Sequence, residues 1–315
     1  MKIKLLSTVL SLLFVSNIVY GIQVSGPIVD SEWLANNLAQ VTVLDIRKKD
    51  DKFSSTGTCG GKIGHINGAL FLKWGKVRGT RKVAGQDVKK LIPPKGYFED
   101  LLRGFGVNND GAIVLTSDGT SSKYSTFATR MYWQLKYYGH DNVAILDGGN
   151  AQWVADGKAL NCEKTSAPQK GNFSVGEVRE KLLATPQEVA QAVKSGGITL
   201  IDGRTQDYYL GTKQKSYVYA KGHISGAKNY PHPQWFAAKG PATFLSAHQM
   251  AMTMKEIGID AHAPAITYCD SGHLSTGVWF VMYELLGNKD ASLFDGSMHQ
   301  WTLDKNNPTT AGIME

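Results

Sequence analysis

Residues 200–204 read Leu200-Ile201-Asp202-Gly203-Arg204, an apolar run closed by an acid and then a base, and a similar arrangement stands earlier as Val43-Leu44-Asp45-Ile46-Arg47. The recurrence continues in order along the chain. Gly64-His65-Ile66-Asn67-Gly68-Ala69 returns as Gly222-His223-Ile224-Ser225-Gly226-Ala227, and Ala112-Ile113-Val114-Leu115-Thr116 as Ala265-Ile266-Thr267-Tyr268-Cys269. Asp147-Gly148-Gly149 with Trp153 returns as Asp295-Gly296-Ser297 with Trp301. The offsets between copies are 157, 158, 153 and 148, so two tandem copies of one domain are expected, differing by small loop insertions. Units of this length should each bury a core of their own. The expected organisation is a first domain over 22–156, a polar linker over 157–171 and a second domain over 172–315.

Within each copy, short β-rich runs (Val41 to Asp45, Ala112 to Thr116, Val143 to Asp147) alternate with helical patterns. That alternation predicts an α/β fold in which each domain is an open parallel sheet with helices on both faces. After Cys269 the apolar positions Val278, Val281, Met282 and Leu285 fall at helical spacing, and Gly287 is placed to end the helix. A strand therefore runs into Cys269, a short loop follows and a helix begins. Ligands of open α/β sheets sit at the carboxyl ends of strands, so topology puts this cysteine in a functional position.

With 315 residues, 42% hydrophobic and 19% charged, the composition excludes a disordered, collagenous or disulfide-dense chain. Lys2 and Lys4 precede an apolar run from Leu5 to Val15, with Val19 and Gly21 where a signal peptidase reads small or tolerated residues. Residues 1–21 are thus expected to be a cleaved signal and the protein to be exported, periplasmic if bacterial and otherwise secreted. The run is shorter than the roughly 20 residues that span a bilayer, so no membrane association is expected after cleavage. The formal charge is +7, or +5 without Lys2 and Lys4. The basic stretch Lys73 to Lys82, including Lys76, Arg78 and Arg81, comes with no nucleic-acid motif and reads as a solvated face or an anion-attracting rim. Three cysteines without C-x-x-C spacing give no structural metal site. In an oxidising compartment Cys59 and Cys162 either pair or stay free, and Cys269 is left as a thiol to be read by itself.

The segment Tyr268-Cys269-Asp270-Ser271-Gly272-His273-Leu274-Ser275-Thr276 places that thiol between a strand end and a helix start. Amides in such a turn point inward and, with the helix dipole, favour an anion. A cysteine there can titrate at roughly 3.5 to 7.5 rather than about 8.5, which makes a nucleophilic thiolate available at neutral pH. Gly272 lets the backbone turn, Ser271, Ser275 and Thr276 carry hydroxyls that could donate to the same anion, and His273 could add a donor or partial positive charge. The first copy has Thr116 at the equivalent position, so only the second carries the thiol. The first is then expected to contribute packing and part of a cleft wall.

These paired segments, with Cys269 in the second copy only, resemble the tandem-domain rhodanese sulfurtransferases, which act on thiosulfate or 3-mercaptopyruvate, over nearly all of the chain beyond its leader. The resemblance implies transfer of a sulfane sulfur from a small-molecule donor through a persulfide on Cys269 to a thiophilic acceptor such as cyanide, a thiol or a redox protein. It implies no cofactor. The implied substrate-binding residues are the loop Asp270, Ser271, Gly272, His273, Leu274 and Ser275, with Arg204 and Tyr208 from a stretch, Asp202 to Thr212, that looks like the family's cleft lining. The loop reads C-D-S-G-H-L, where the family has C-R-K-G-V-T for thiosulfate or C-G-S-G-V-T for mercaptopyruvate, and Gly287 stands about one residue late. Position 208, where the family usually has an anion-binding arginine, is tyrosine, so loop amides, His273 or lysines such as Lys213 and Lys215 must recognise the anion. Export away from cytosolic mercaptopyruvate favours thiosulfate as donor.

Two other readings compete. A cysteine phosphatase or arsenate reductase needs C-x5-R, but Ser275 stands six residues after Cys269. A noncatalytic sulfur carrier or binding module is compatible with the departures at Asp270 and Tyr208. His65 and His223 recur in both copies and read as loop ties. Asp202 and Arg204 mirror Asp45 and Arg47 as a charge-assisted structural pair, with Arg204 able to face the cleft as well, and Trp301 reads as core or cleft wall like Trp153.

Overall fold

The structure is a computed structural model that describes residues 21–48, 64–83, 85–163, 165–166 and 168–312. The expected leader and Cys59, with its candidate pairing to Cys162, lie outside the described residues. The first unit runs β1 (Ile28–Val29), α1 (Ser31–Asn37), β2 (Val41–Arg47), β3 (Leu70–Lys73), β4 (Gly79–Val83), β5 (Gln86–Leu91), α2 (Lys95–Gly104), β6 (Ala112–Thr116), α3 (Ser122–Tyr137), β7 (Val143–Leu146) and α4 (Gly149–Ala155). The second runs α5 (Pro186–Ser195), β8 (Thr199–Asp202), α6 (Gln206–Tyr209), β9 (His223–Ile224), β10 (Lys228–Asn229), α7 (Ala247–Glu256), β11 (Ala265–Tyr268), α8 (Ser275–Phe280), β12 (Ala291–Leu293), α9 (Ser297–Trp301) and β13 (Thr309–Thr310).

The repeat in sequence is a repeat in topology. The first sheet is ordered β1-β7-β6-β2-β3 and the second β10-β8-β11-β12, each parallel throughout. Read from the opposite edge, β3-β2-β6-β7 and β10-β8-β11-β12 are the same array. The place of β1 is held in the second unit by one parallel bridge between Leu183 and Leu293. The strands β6 (AIVLT) and β11 (AITY) are buried at every residue, as central strands covered on both faces must be.

Each unit has an apolar cluster of its own, around Val43, Val114 and Leu146 in the first and Leu200, Ile266 and Trp301 in the second, and a third cluster is shared between them. Helix α3 is buried on nearly its whole circumference, including the polar Thr126, Thr129, Arg130 and Gln134, because it lies between its own sheet and α8 of the second unit. Phe127, Met131 and Trp133 on α3 belong to the same apolar cluster as Trp235, Val278 and Trp279. Each such side chain contributes about 1.5–3 kcal/mol by leaving water. Thr129 Oγ1 and Thr276 Oγ1 meet across the contact at 2.9 Å. Helix α8 passes into a π turn over Val281–Leu285 before Gly287 takes a left-handed φ of 75°. A π turn accommodates one residue more than an α turn, which suits the late position of that glycine.

Candidate active site

The strand β11 ends at Tyr268, and the chain turns through residues 269–274 before α8. Three hydrogen bonds shape the turn. The amides of Cys269 and Gly272 both donate to Ser297 Oγ at 3.0 Å, and the amide of His273 donates to Cys269 Sγ at 3.1 Å. Gly272 has φ 62°, and a Cβ there would stand 2.2 Å from Asp295 Oδ1, so glycine is required on both conformational and steric grounds. Its carbonyl accepts from Arg130 Nη1 of α3 at 2.6 Å.

Ser297 also has a left-handed backbone, φ 51°, at the position equivalent to Gly149, whose φ is 58°. A non-glycine residue is costly there and persists where its surroundings require it. Here the hydroxyl gathers two loop amides that would otherwise be buried unpaired. In the first unit the corresponding loop is closed by its own groups: Thr116 Oγ1 donates to Asn150 Oδ1 at 2.9 Å, and Asn150 Nδ2 donates to Asp45 Oδ2 at 2.8 Å.

Cys269 is only 1% exposed, yet it lines a cleft of about 740 Å³ between the two units. Asp270, Ser271, His273, Leu274, Arg204 and Tyr208 line the same cleft, together with Trp74, Arg78, Lys90 and Phe127 from the first unit. Gly272 and Ser275 are not among the lining residues. Ser275 Oγ is buried without a partner, and Thr276 Oγ1 donates to the His273 carbonyl at 2.7 Å rather than to the sulfur. Eight lysines and arginines line the cleft against two aspartates, an excess that raises the local concentration of anions.

The electrostatics of two residues, His273 and Arg204, decide what each can do. The half-buried His273 packs its ring between Trp74 and Phe127, with centroids 4.6 and 4.9 Å away, and its Nε2 meets Thr126 Oγ1 at 2.9 Å. Burial, reinforced by Arg78 and other cations nearby, holds its pKa well below the ordinary histidine value. The ring is therefore neutral near pH 7, and the residue reaches the sulfur through its backbone amide instead of through positive charge. Arg204 is saturated by contacts within its own domain: Nε and Nη2 bond Asp202, Nη1 bonds Asp270 at 3.1 Å, and Nη2 also bonds the Gly222 carbonyl. Burial opposes the Arg204 charge, but Asp202 and Asp270 outweigh it and hold the pKa above the ordinary value. Burial raises the Asp270 pKa against the lowering effect of Arg204.

Tyr208 keeps its hydroxyl in the cleft, where Lys215 Nζ donates to it at 2.8 Å. The recurring histidines tie loops: His65 bonds the Glu163 carbonyl at 2.7 Å, and His223 bonds the Tyr209 carbonyl at 2.8 Å while stacking on that ring. Trp153 and Trp301 are buried and donate to the carbonyls of Ala159 and Pro308. The sequence reading did not single out Ser297, Lys90 or Tyr217. A serine where the other copy has glycine was the available signal for the first.

The Rhodanese-like domain family matches the chain twice, at residues 30–156 and 185–304. A protein of Mycolicibacterium smegmatis named "Putative thiosulfate sulfurtransferase" is 31% identical over 285 residues, 88% of this chain and 94% of its own length. The "Sulfur carrier protein TtuD" of Thermus thermophilus is 30% identical over 286 residues, 87% of this chain and 93% of its own. Among solved structures, the anaerobic ergothioneine biosynthesis enzyme from Chlorobium limicola superposes with a TM-score of 0.72 at 20% identity, over 91% of this chain and 71% of that one. That likeness is one of fold.

Proposed function

Because the chain belongs to the rhodanese family, with two copies of its domain and a cysteine at the loop position of the second only, we propose that it moves a sulfane sulfur from thiosulfate to a thiophilic acceptor through Cys269. The observation that carries this reading is the free thiol of Cys269 lining the cationic cleft with a peptide N–H aimed at its sulfur from 3.1 Å. Such a donor stabilises negative sulfur.

The Cys269 thiolate attacks the outer sulfur of thiosulfate. A sulfur–sulfur bond forms at the enzyme, the donor's own sulfur–sulfur bond breaks, and sulfite leaves with that electron pair. The terminal persulfide sulfur carries the negative charge. An acceptor such as cyanide then attacks that sulfur, the enzyme's sulfur–sulfur bond breaks, thiocyanate leaves and the thiolate returns. The charge stays in the loop through both steps, so the His273 amide serves both and no separate general base is required. In this reading Ser271, Leu274 and Tyr208 form the donor's surroundings, Gly272 shapes the turn, and Arg204 holds Asp270 in place. Ser275 packs behind the loop.

A second reading is supported by the likeness to the Thermus thermophilus sulfur carrier: the persulfide is held for delivery to a partner protein. Incubation with thiosulfate followed by mass spectrometry, alongside a thiosulfate:cyanide assay, tests both. Turnover with one transient sulfur on Cys269 supports the enzyme, and a stable added sulfur without turnover supports the carrier. Activity surviving in Cys269→Ser rejects both. The leader over residues 1–21 and the exported location belong to the same proposal, and amino-terminal sequencing of protein from its native host checks them.

A further inference from the structure

We propose that the first domain supplies the anion receptor of this site: Arg78 and Lys90 together hold the oxyanion end of a dianionic sulfur donor while its outer sulfur faces Cys269. This rests on the sulfurtransferase reading above and assigns the recognition that an arginine at position 208 would otherwise provide.

The second domain's cleft cations are already engaged. Arg204 is held by Asp202 and Asp270, Lys213 pairs with Asp207 at 2.7 Å, and Lys215 donates to Tyr208. Lys48, Lys73 and Lys123 are exposed at the rim. Arg78 and Lys90 differ from all of these. Both are partly buried in the cleft wall, and neither has a carboxylate within ion-pair distance among the described residues.

Each is also held in place. The Arg78 guanidinium lies over the Trp74 ring with Cζ 4.1 Å from its centroid, and Trp74 is stacked in turn on Phe127 at 4.1 Å. Its Nε is buried without a partner, a donor that an anion's oxygen would satisfy. Lys90 is the extra residue of a β-bulge: Gly79 pairs with Leu91 and Thr80 with Lys89, which leaves Lys90 opposite nothing. Val88 and Leu91 are both buried, although residues three apart in a regular strand face opposite sides. The bulge gives Lys90 a left-handed φ of 72°, one of two such non-glycine residues among those described, the other being Ser297 in the cysteine loop. Its Nζ stands 3.4 Å from the centroid of the Tyr217 ring across the cleft. Bulges beside active sites re-aim side chains, and strain of this kind concentrates at ligand clamps.

The test compares alkylation of Cys269 by iodoacetate, an anion, with alkylation by neutral iodoacetamide, in the full chain and in Arg78→Gln, Lys90→Gln and the double variant. The receptor predicts an iodoacetate:iodoacetamide rate ratio above that of a free small thiol, falling about tenfold in each single variant and further in the double, with thiosulfate KM rising in proportion. An unchanged ratio in the double variant overturns the proposal. If Arg78→Gln fails to fold, Arg78→Lys and Lys90→Gln are judged by the same ratio. Wild-type protein that favours iodoacetate but transfers no sulfur keeps the receptor and removes the sulfurtransferase reading. Wild-type protein that transfers sulfur while the double variant keeps the wild-type ratio removes the receptor alone.

Discussion

Arg130 of the first domain and Asp295 of the second form an ion pair in the interior, with side-chain exposures of 0% and 4%, against the loop that carries Cys269. Arg130 Nη1 also donates to the Gly272 carbonyl, and Asp295 Oδ2 accepts from the amide of Ile92 at 2.6 Å. One pair thus joins helix α3, the end of the β4–β5 hairpin and the cysteine loop, and fixes the wall of the cleft that comes from the first domain relative to the sulfur.

Asp295→Asn should therefore be costly. Removing one partner of a buried pair leaves the other charge uncompensated, a loss of about 3–5 kcal/mol. Denaturant unfolding of the variant should show a midpoint lowered accordingly. A variant as stable as the parent would mean that the pair does not hold the domains together.

Ser297→Ala tests the loop's anchor. It leaves the buried amides of Cys269 and Gly272 without an acceptor and keeps the unfavourable φ, so a loss of about 1–3 kcal/mol for each amide is expected, with slower sulfur transfer. Ser297→Gly relieves the backbone but not the amides and should recover stability more than rate. Equal recovery of both would show that the hydroxyl does not position the loop.

In the sequence the duplication was legible because Asp45 and Asp202, and Thr116 and Cys269, recur with their neighbours in one order, and the parallel sheets because apolar strand runs alternate with helical patterns. The thiol's place followed from the same register. Ser297 was visible only as a departure from Gly149, and its meaning depends on a φ that no residue pattern reports. Arg78 stood in a stretch readable as a solvated face or an anion-attracting rim, whereas the reach of Lys90 into the cleft was hidden because it is set by a bulge. Of the two roles open to His273, donor or partial positive charge, the structure shows the donor, through the backbone amide, while the packing that keeps the ring neutral comes from Trp74, Phe127 and Arg78, far away in sequence.

The pH dependence of donor affinity follows from Lys90. Burial, then Arg78 and also Lys215, lower its pKa to about 8 against Asp270 and Cys269, which raise it. Lys89 and His299 lie on neighbouring segments, and Tyr217 faces its Nζ. A lowered pKa means that the cation is present below about pH 8 and lost above it, so thiosulfate KM should rise as pH passes from about 7 to about 9. In Lys90→Gln the same profile should lack this rise. An identical rise in parent and variant would assign the titration to another group.

The full chain is incubated with thiosulfate, its peptides are mapped by mass spectrometry, and cyanide is then added while thiocyanate is counted. The account predicts one extra sulfur on Cys269, removed by cyanide with an equal amount of thiocyanate, and neither signal in a folded Cys269→Ser variant. Thiocyanate formed by Cys269→Ser at the parent's rate, or an added sulfur found elsewhere, would contradict it.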